Sequence, residues 1–363
     1  MLIVRTPVRI SFAGGGTDLP AYYERFGGAV LSAAINKHFY TILQKRTDGK
    51  VQVISSDLRA IETWEDITRM VGQGSELEIP LAALKELGCA VSVSLFLASE
   101  IPPGTGLGSS ASVCVNVLKT VFTYVGKNAS KYELAERAFH IARNTLRKPV
   151  GKQDEYAVAF GGLNFITFHR DGSVAVDPID VDPVVQRELE SSLLLFFTGS
   201  SHDSWKILAE QESSTKKEHG LAVDALHEIR ALADEMRTAL MSGDLRQFGT
   251  LLDQGWQAKK RVSAKISTSH IDAMYDAARA AGALGGKITG AGGGGFLLLF
   301  CPEPQQAQVR EAMARFGSRE MSFDFDFQGA QVIANDPFID GDQLGGMRWT
   351  FSPVSTKAGL VGK

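Results

Sequence analysis

Three glycines at alternate positions stand inside Pro102-Pro103-Gly104-Thr105-Gly106-Leu107-Gly108-Ser109-Ser110-Ala111. Upstream, Val91, Val93, Leu95 and Leu97 alternate with Ser92, Ser94, Phe96 and Ala98, the period of a strand. Downstream, over Ala111–Val125, Val113, Val117, Leu118, Val121 and Val125 recur at helical spacing. A strand, a glycine loop and a helix start in that order make an anion site. The loop amides and the first helical N–H groups have no intrahelical acceptor, and the dipole end is positive. Missing Cβ atoms let such a backbone fold around phosphate oxygens. Ser109 and Ser110 can cap the helix, donate hydroxyls to phosphate or ligate Mg2+. Two common phosphate loops are excluded: no lysine follows Gly108, as a Walker A loop requires, and the spacing G-x-G-x-G is not the dinucleotide fingerprint.

Other glycines cluster in the same way, at Gly14–Gly16, Gly285–Gly286 and Gly290–Gly295, between apolar runs and not in serine-rich linkers. In Pro7-Val8-Arg9-Ile10-Ser11-Phe12-Ala13-Gly14-Gly15-Gly16-Thr17-Asp18 a strand runs into a glycine turn ending in an acid. Thr17 and Asp18 can hydrogen-bond sugar hydroxyls, and Arg9 can face a developing negative charge. Gly151-Lys152-Gln153-Asp154-Glu155 offers Asp154 beside a cation that would keep it ionised, as a general base needs. Lys287-Ile288-Thr289 leads into Gly290-Ala291-Gly292-Gly293-Gly294-Gly295, where so many glycines suggest a backbone packed against nucleotide or sugar.

At 363 residues the chain has room for about two domains. Its 38 basic and 41 acidic residues give a formal charge of −3, which argues against a general nucleic-acid or polybasic membrane-surface binder. The apolar runs Leu193–Phe197 and Phe296–Cys301 are too short to span a bilayer. No basic-then-apolar leader precedes Leu2, so a cytoplasmic protein is expected. Cys89, Cys114 and Cys301 are widely spaced in apolar contexts and read as reduced core residues. A homodimer is allowed, though no residue specifies one.

Strands are expected at Leu2–Val4 and Val8–Ala13, separated by a Thr6-Pro7 turn, and at Val30–Ala34, Phe39–Gln44 and Val51–Ser55. A helix over Ser75–Leu87 is capped by Gly88, and another covers Tyr132–Leu146. Gly161–Phe168 and Val174–Val176 read as a hairpin, followed by an Asp/Pro-rich connector to Pro183. Beyond it come a strand at Leu193–Phe197 and helices at 204–218, 221–241, 244–262 and 270–281. The glycine loop 285–295, a strand to Phe300, a helix 303–316 and a β-rich segment near Ala330–Ile333 complete this half. The expected fold is α+β, with domains at 1–185 and 186–337 and a tail at 338–363.

Together the four motifs resemble the GHMP kinase superfamily, over nearly the whole chain to about Pro337. PVRISFAGGGTDLPAYY and PVGKQDEYAVAFGG look most like its D-glycero-D-manno-heptose 7-phosphate 1-kinases. The resemblance implies a ribosomal-protein-S5-like N-terminal domain and a ferredoxin-like C-terminal domain with the site between them. ATP phosphates would lie on Pro103, Gly104, Thr105, Gly106, Leu107, Gly108, Ser109, Ser110 and Ala111, with Mg2+ at Ser110. Asp154 would be the catalytic aspartate, with Arg9 or Lys152 neutralising the transferring phosphoryl group. Gly15, Gly16, Thr17, Asp18, Lys152 and Gln153 would hold the sugar, and Gly290, Gly292 and Gly293 would close over it. Lys37, Arg147, Lys148 and Lys152 are candidates for a sugar-phosphate pocket, and Trp64 and Ser55–Asp57 for neighbours of the base.

Two departures from the resemblance stand out. Where relatives carry a metal-ligating glutamate the chain has Ala142, within His140-Ile141-Ala142-Arg143. Where they carry arginine after the first strand of the second domain it has Thr198-Gly199-Ser200-Ser201-His202. The implied reaction is ATP-dependent phosphorylation of heptose 7-phosphate to heptose 1,7-bisphosphate. Alternatives are a kinase for a neutral sugar of the fucose or galactose type and a catalytically silent nucleotide-binding module. A nicotinamide enzyme is disfavoured by the missing dinucleotide spacing.

Overall fold

The computed structural model of the chain describes residues 1–65, 75–86, 91–199, 204–216 and 220–336. Cys89, the Gly88 cap, His202 and the expected tail lie outside the described residues. In chain order the first elements are β1 (Leu2–Ala13), α1 (Pro20–Phe26), β2 (Gly28–Lys45), β3 (Val51–Ser55), β4 (Ala60–Trp64), α2 (Glu78–Lys85) and β5 (Val93–Ser99). Then come α3 (Ser109–Tyr124), α4 (Lys131–His140), a π-helical turn (Ile141–Thr145), α5 (Gln153–Phe160), β6 (Leu163–Phe168) and β7 (Val174–Pro178). The second half opens with α6 (Pro183–Ser192), β8 (Leu193–Phe197), α7 (Ser204–Thr215), α8 (Leu221–Met241) and α9 (Leu245–Val262). It continues with α10 (Ser269–Ala280), β9 (Gly285–Ile288), β10 (Phe296–Phe300), α11 (Gln306–Ala314), β11 (Arg319–Glu320) and β12 (Gln331–Asn335).

The described strands form two sheets. The larger has the order β12-β1-β2-β5-β3-β4, with the β6–β7 hairpin also paired to β2; the smaller has the order β11-β8-β10-β9. β3 and β5 are parallel, and the other pairings are antiparallel. One face of the larger sheet packs on α2–α5, and the other on α8, α9 and the smaller sheet. In β8 and β10 the side chains alternate between two cores. Leu193, Leu195, Phe296, Leu298 and Phe300 face the larger sheet; Leu194, Phe196, Leu297 and Leu299 meet Trp256, Met274 and Met313. Strands covered on both faces read as unbroken apolar runs, which is why LLLFF and FLLLF show no alternation.

Pro7 does not break the first strand in two. β1 is continuous, and the pairing with β2 shifts register between Pro7 and Val8. Proline is tolerated at such an irregularity because a ladder hydrogen bond is already missing there. The shift inverts side-chain parity. Leu2, Val4 and Thr6 face α3, but after the bulge Val8, Ile10 and Phe12 turn to the opposite core and Arg9 takes the helix side. The orientation of Arg9 is therefore set at Pro7.

Other expectations shift in detail. The connector after Ile179 holds the helix α6, started by a Pro183 turn behind an Asp182 cap that accepts from Val184 N. α4 stops at His140 and its last turn widens into the π-helical turn. The 285–295 segment begins as strand β9. The Ala330–Ile333 region does not complete the second half: β12 returns to the larger sheet and pairs with β1.

Candidate active site

The loop from Pro102 to Gly108 reaches α3 through three left-handed glycines, with φ of 75° at Gly104, 79° at Gly106 and 78° at Gly108. Gly108 occupies the N-cap of α3 and supplies no side chain to cap it. The amides of Ser109, Ser110 and Ala111 are thereby left at the wall of a cavity of about 260 Å³ that these three residues line. Glycine is required at Gly106 for a second reason: a Cβ there would meet the Thr289 carbonyl oxygen at 2.3 Å. Gly290 packs reciprocally, its Cβ position 2.7 Å from the Gly106 Cα. The two glycine-rich loops are thus pressed backbone to backbone. This replaces the expectation that the 290–295 glycines mainly face a ligand; Gly290 lines the cavity, whereas Gly292 packs on Ile266 and Gly293 N bonds Ile266 O at 2.8 Å.

Opposite the loop, the start of α5 brings Asp154 to Arg9. Arg9 Nε donates to Asp154 Oδ1 at 2.7 Å and Nη2 to Oδ2 at 2.6 Å, while Nη1 donates to the Gly106 carbonyl at 2.6 Å. The guanidinium is buried and the carboxylate is 29% exposed, so the aspartate keeps an open side toward the cavity. Asp18 also lines the cavity. Its Oδ1 accepts from Gly16 N at 2.8 Å and Gln153 Nε2 at 2.9 Å, and its Oδ2 from Gln153 N at 3.3 Å. Burial, and secondarily the charge of Asp154, push the Asp18 carboxyl above the usual carboxylate range.

Of the residues expected here, Arg9, Gly16, Asp18, Pro103, Gly104, Gly106, Gly108, Ser109, Ser110, Ala111, Gln153, Asp154 and Gly290 line one cavity. Others support it from behind. Thr105 Oγ1 bonds Pro102 O at 3.0 Å, and Leu107 O accepts from Arg9 N at 2.9 Å. Thr17 Oγ1 is turned inward to Gly14 O at 2.8 Å and Ala29 O at 3.0 Å, so it anchors the turn. Lys152 gives a correction: its Nζ is held by Glu136 at 2.8 Å and the Gly172 carbonyl at 2.7 Å, and it does not line the cavity. Of the two cations expected to face a phosphoryl group, Arg9 lines the cavity and Lys152 does not. Lys148 lines the wall, paired to Glu78 at 2.8 Å; Lys37, Arg147, Trp64 and residues 55–57 do not.

Two charged residues of the lining, Lys259 and Glu155, were not expected there from the sequence. Lys259 is buried and donates to the Gly15 carbonyl at 3.1 Å, and among the described residues it makes no ion pair with a carboxylate. Burial lowers its pKa to about 8, with Asp18 opposing the shift. The signal was its place on α9: Leu252, Trp256 and Lys259 lie on one buried stripe, where a lysine is unexpected. Glu155 is also buried and lines the cavity; desolvation and the neighbouring Asp154 raise its carboxyl well above the ordinary range. Across the cleft, Arg143 of the π-helical turn holds Glu212 of α7 at 2.9 and 2.7 Å, bringing Trp205 and Leu208 of α7 to the wall.

A helix start behind alternating glycines, sharing one cavity with an arginine-held aspartate, is the layout expected of a phosphoryl-transfer site of the small-molecule kinase class. Residues 78–162 match the GHMP kinases N-terminal domain and residues 236–319 the GHMP kinases C-terminal domain. The chain is 30% identical over 332 residues to a D-glycero-alpha-D-manno-heptose 7-phosphate kinase of Campylobacter jejuni, covering 90% of this chain and 97% of that protein. It is 28% identical to an L-fucokinase/L-fucose-1-P guanylyltransferase of Bacteroides fragilis, over 84% of this chain and 35% of that longer protein. A solved D-glycero-D-manno-heptose 1-phosphate kinase from Bacteroides thetaiotaomicron superposes with a TM-score of 0.78 at 26% identity, over 93% of this chain and 100% of that one. The chain belongs to the GHMP kinase family, and it is an ATP-dependent kinase. No helix among the described residues is long and apolar enough to cross a membrane.

Proposed function

We infer that the protein transfers the γ-phosphoryl group of ATP to the anomeric hydroxyl of D-glycero-D-manno-heptose 7-phosphate. The product is heptose 1,7-bisphosphate, on the way to nucleotide-activated heptose. The observation that carries a phosphorylated substrate is Lys259, a buried cation of the cavity wall that feels Asp18 but forms no ion pair with any described carboxylate. A dianionic sugar gives that ammonium a partner; a neutral sugar leaves it with the Gly15 carbonyl. The end-to-end relative named for heptose 7-phosphate supports the same reading.

The α3 amides and the Ser110 hydroxyl hold the ATP phosphates. Asp154 takes the proton of the attacking hydroxyl as the new oxygen–phosphorus bond forms and the bond to ADP breaks. Arg9 keeps that carboxylate in place and offers charge to the moving phosphoryl group, and Asp18 and Gln153 orient the sugar. Most of the rate enhancement then comes from positioning and charge stabilisation. The wall also fits Mg2+: Ser110 offers an exposed hydroxyl, and Glu155 Oε2 is buried without a hydrogen-bond partner. The ion would neutralise phosphate charge there.

ATP consumption with heptose 7-phosphate, unphosphorylated heptose, L-fucose and galactose tests the reading. The 7-phosphate should lead by at least about 100-fold in kcat/KM, nearly 3 kcal/mol of discrimination. Equal use of fucose or galactose would assign a neutral sugar, and ATP binding without transfer to any sugar would leave a silent module.

A further inference from the structure

Three carboxylates line the cavity, and protein donors occupy both oxygens of two of them. Asp154 is taken by Arg9, and Asp18 by Gly16 and Gln153. Glu155 differs. It is 3% exposed, it is part of the wall, and its Oε2 has no hydrogen-bond partner. Buried polar oxygens are almost always bonded, yet Ser109 Oγ and Gln153 Oε1 of the same wall also lack partners, so the unbonded atoms cluster around this cavity and Glu155 is the one carboxylate among them. The charged groups that act on it are Asp154, Asp18 and Arg9, and the only cation among them is already committed to Asp154.

The same wall contains Ser110 at the start of α3 and Ala142 in the π-helical turn. Ala142 brings only a methyl group, so the turn contributes no acid at that position. Single π-helical turns often coincide with functional sites because they realign the side chains that follow. A hard divalent ion accompanying ATP needs one or two protein oxygens, and phosphates and water complete its shell. In keeping with that economy, no three His, Cys, Asp or Glu side chains gather into a preformed cage among the described residues.

We propose that Glu155 is a protein ligand of the divalent cation that enters with ATP, supplying from α5, beside Ser110, the carboxylate that Ala142 does not. The proposal rests on the ATP-dependent kinase reading and is independent of which sugar is used.

The test uses the full chain, Mn2+ as the probe and a non-hydrolysable ATP analogue, with bound Mn2+ read by electron paramagnetic resonance. Glu155→Gln should weaken Mn2+ binding to the enzyme–analogue complex at least tenfold, leaving metal-free analogue affinity within about twofold. Its midpoint of thermal unfolding should not fall, because an isosteric amide replaces a buried carboxyl. Adding Ala142→Glu to Glu155→Gln should restore Mn2+ affinity. Glu155→Asp, which keeps the charge but withdraws it by one methylene, should weaken Mn2+ several-fold and serves if the Gln variant does not fold. Unchanged Mn2+ affinity in Glu155→Gln or Glu155→Asp overturns the proposal, as does a wild-type complex that binds no Mn2+. Glutamate-dependent Mn2+ binding in an enzyme inactive toward heptose 7-phosphate would refute the substrate reading and leave this one standing.

Discussion

Arg9 grips Asp154 through two parallel hydrogen bonds, of 2.7 and 2.6 Å, and ties the pair to the glycine loop through the Gly106 carbonyl. A planar fork fixes both the direction of the carboxylate and its distance from the phosphate cradle; a lysine ammonium fixes neither. Asp154→Asn should lower kcat by roughly 10²–10⁴ with little change in the KM for ATP, the loss expected for a general base. Arg9→Lys keeps the charge and should still lose at least about tenfold in kcat, from misorientation alone. Steady-state kinetics of both variants check this, and near-normal turnover in Asp154→Asn removes the aspartate from the chemistry.

Gly106 separates two costs that are usually confounded. Its φ of 79° disfavours any L side chain, and a Cβ would also strike the Thr289 carbonyl at 2.3 Å. Gly49 has a similar φ of 75° with nothing within 4 Å of its Cβ position. Gly49→Ala should therefore cost only about 1–2 kcal/mol of backbone strain. Gly106→Ala should cost clearly more and should raise the KM for ATP, because the two glycine loops must separate. Chemical denaturation of both variants and ATP titration of the second provide the comparison; equal destabilisation would mean that the loop contact is soft.

What the sequence disclosed depended on whether a signal was local. Helices α8 and α9 and strands β8 and β10 were readable because periodicity and length are written in consecutive residues. The glycine loop and the helix start behind it were readable for the same reason: glycine spacing and a helix start are neighbours in the chain. Pairings between distant segments were not. The bulge that turns Arg9 toward Asp154 depends on the register between β1 and β2, and the return of β12 to β1 spans the whole chain. Lys152 misled because proximity to Asp154 in sequence is not proximity in space: at the start of α5 the N-cap Lys152 reaches Glu136 while Asp154, in the first turn, reaches Arg9. Lys259 was hidden in the run Lys259-Lys260-Arg261, which reads as ordinary charge at a helix C-terminus.

Lys259 should discriminate between substrates and not between nucleotides. It lines the cavity next to Asp18, whereas the α3 amides proposed to receive ATP lie on a different element. Lys259→Met should raise the KM for heptose 7-phosphate at least about tenfold, the scale of a lost charge-assisted hydrogen bond, and leave the KM for ATP within about twofold. The same variant should barely change the weak use of unphosphorylated heptose. An equal loss with both sugars would place the ammonium at Asp18 or at the transferred phosphoryl group instead of at the sugar's own phosphate.

Lys287 sits behind the site, its Nζ 3.5 Å from the Phe12 carbonyl, facing Lys259, Arg9 and Asp18. Burial lowers its pKa from the ordinary 10.5 to about 7, and the like charges of Lys259 and Arg9 add to the shift while Asp18 opposes it. Between those two values the unfolded chain binds more protons at this position than the native one, so stability contributed here rises with pH. Below the window both states are protonated and the native state bears the full cost of a buried ammonium; above it both are neutral and the cost is gone. Lys287→Met, of similar length and without charge, should therefore unfold at a higher temperature than the wild type at pH 7. The advantage should shrink steadily toward pH 10. Thermal unfolding of the two proteins at pH 7, 8.5 and 10 measures the difference directly. A methionine variant that is less stable at pH 7, or a gap that does not vary with pH, would show that the core already satisfies the ammonium.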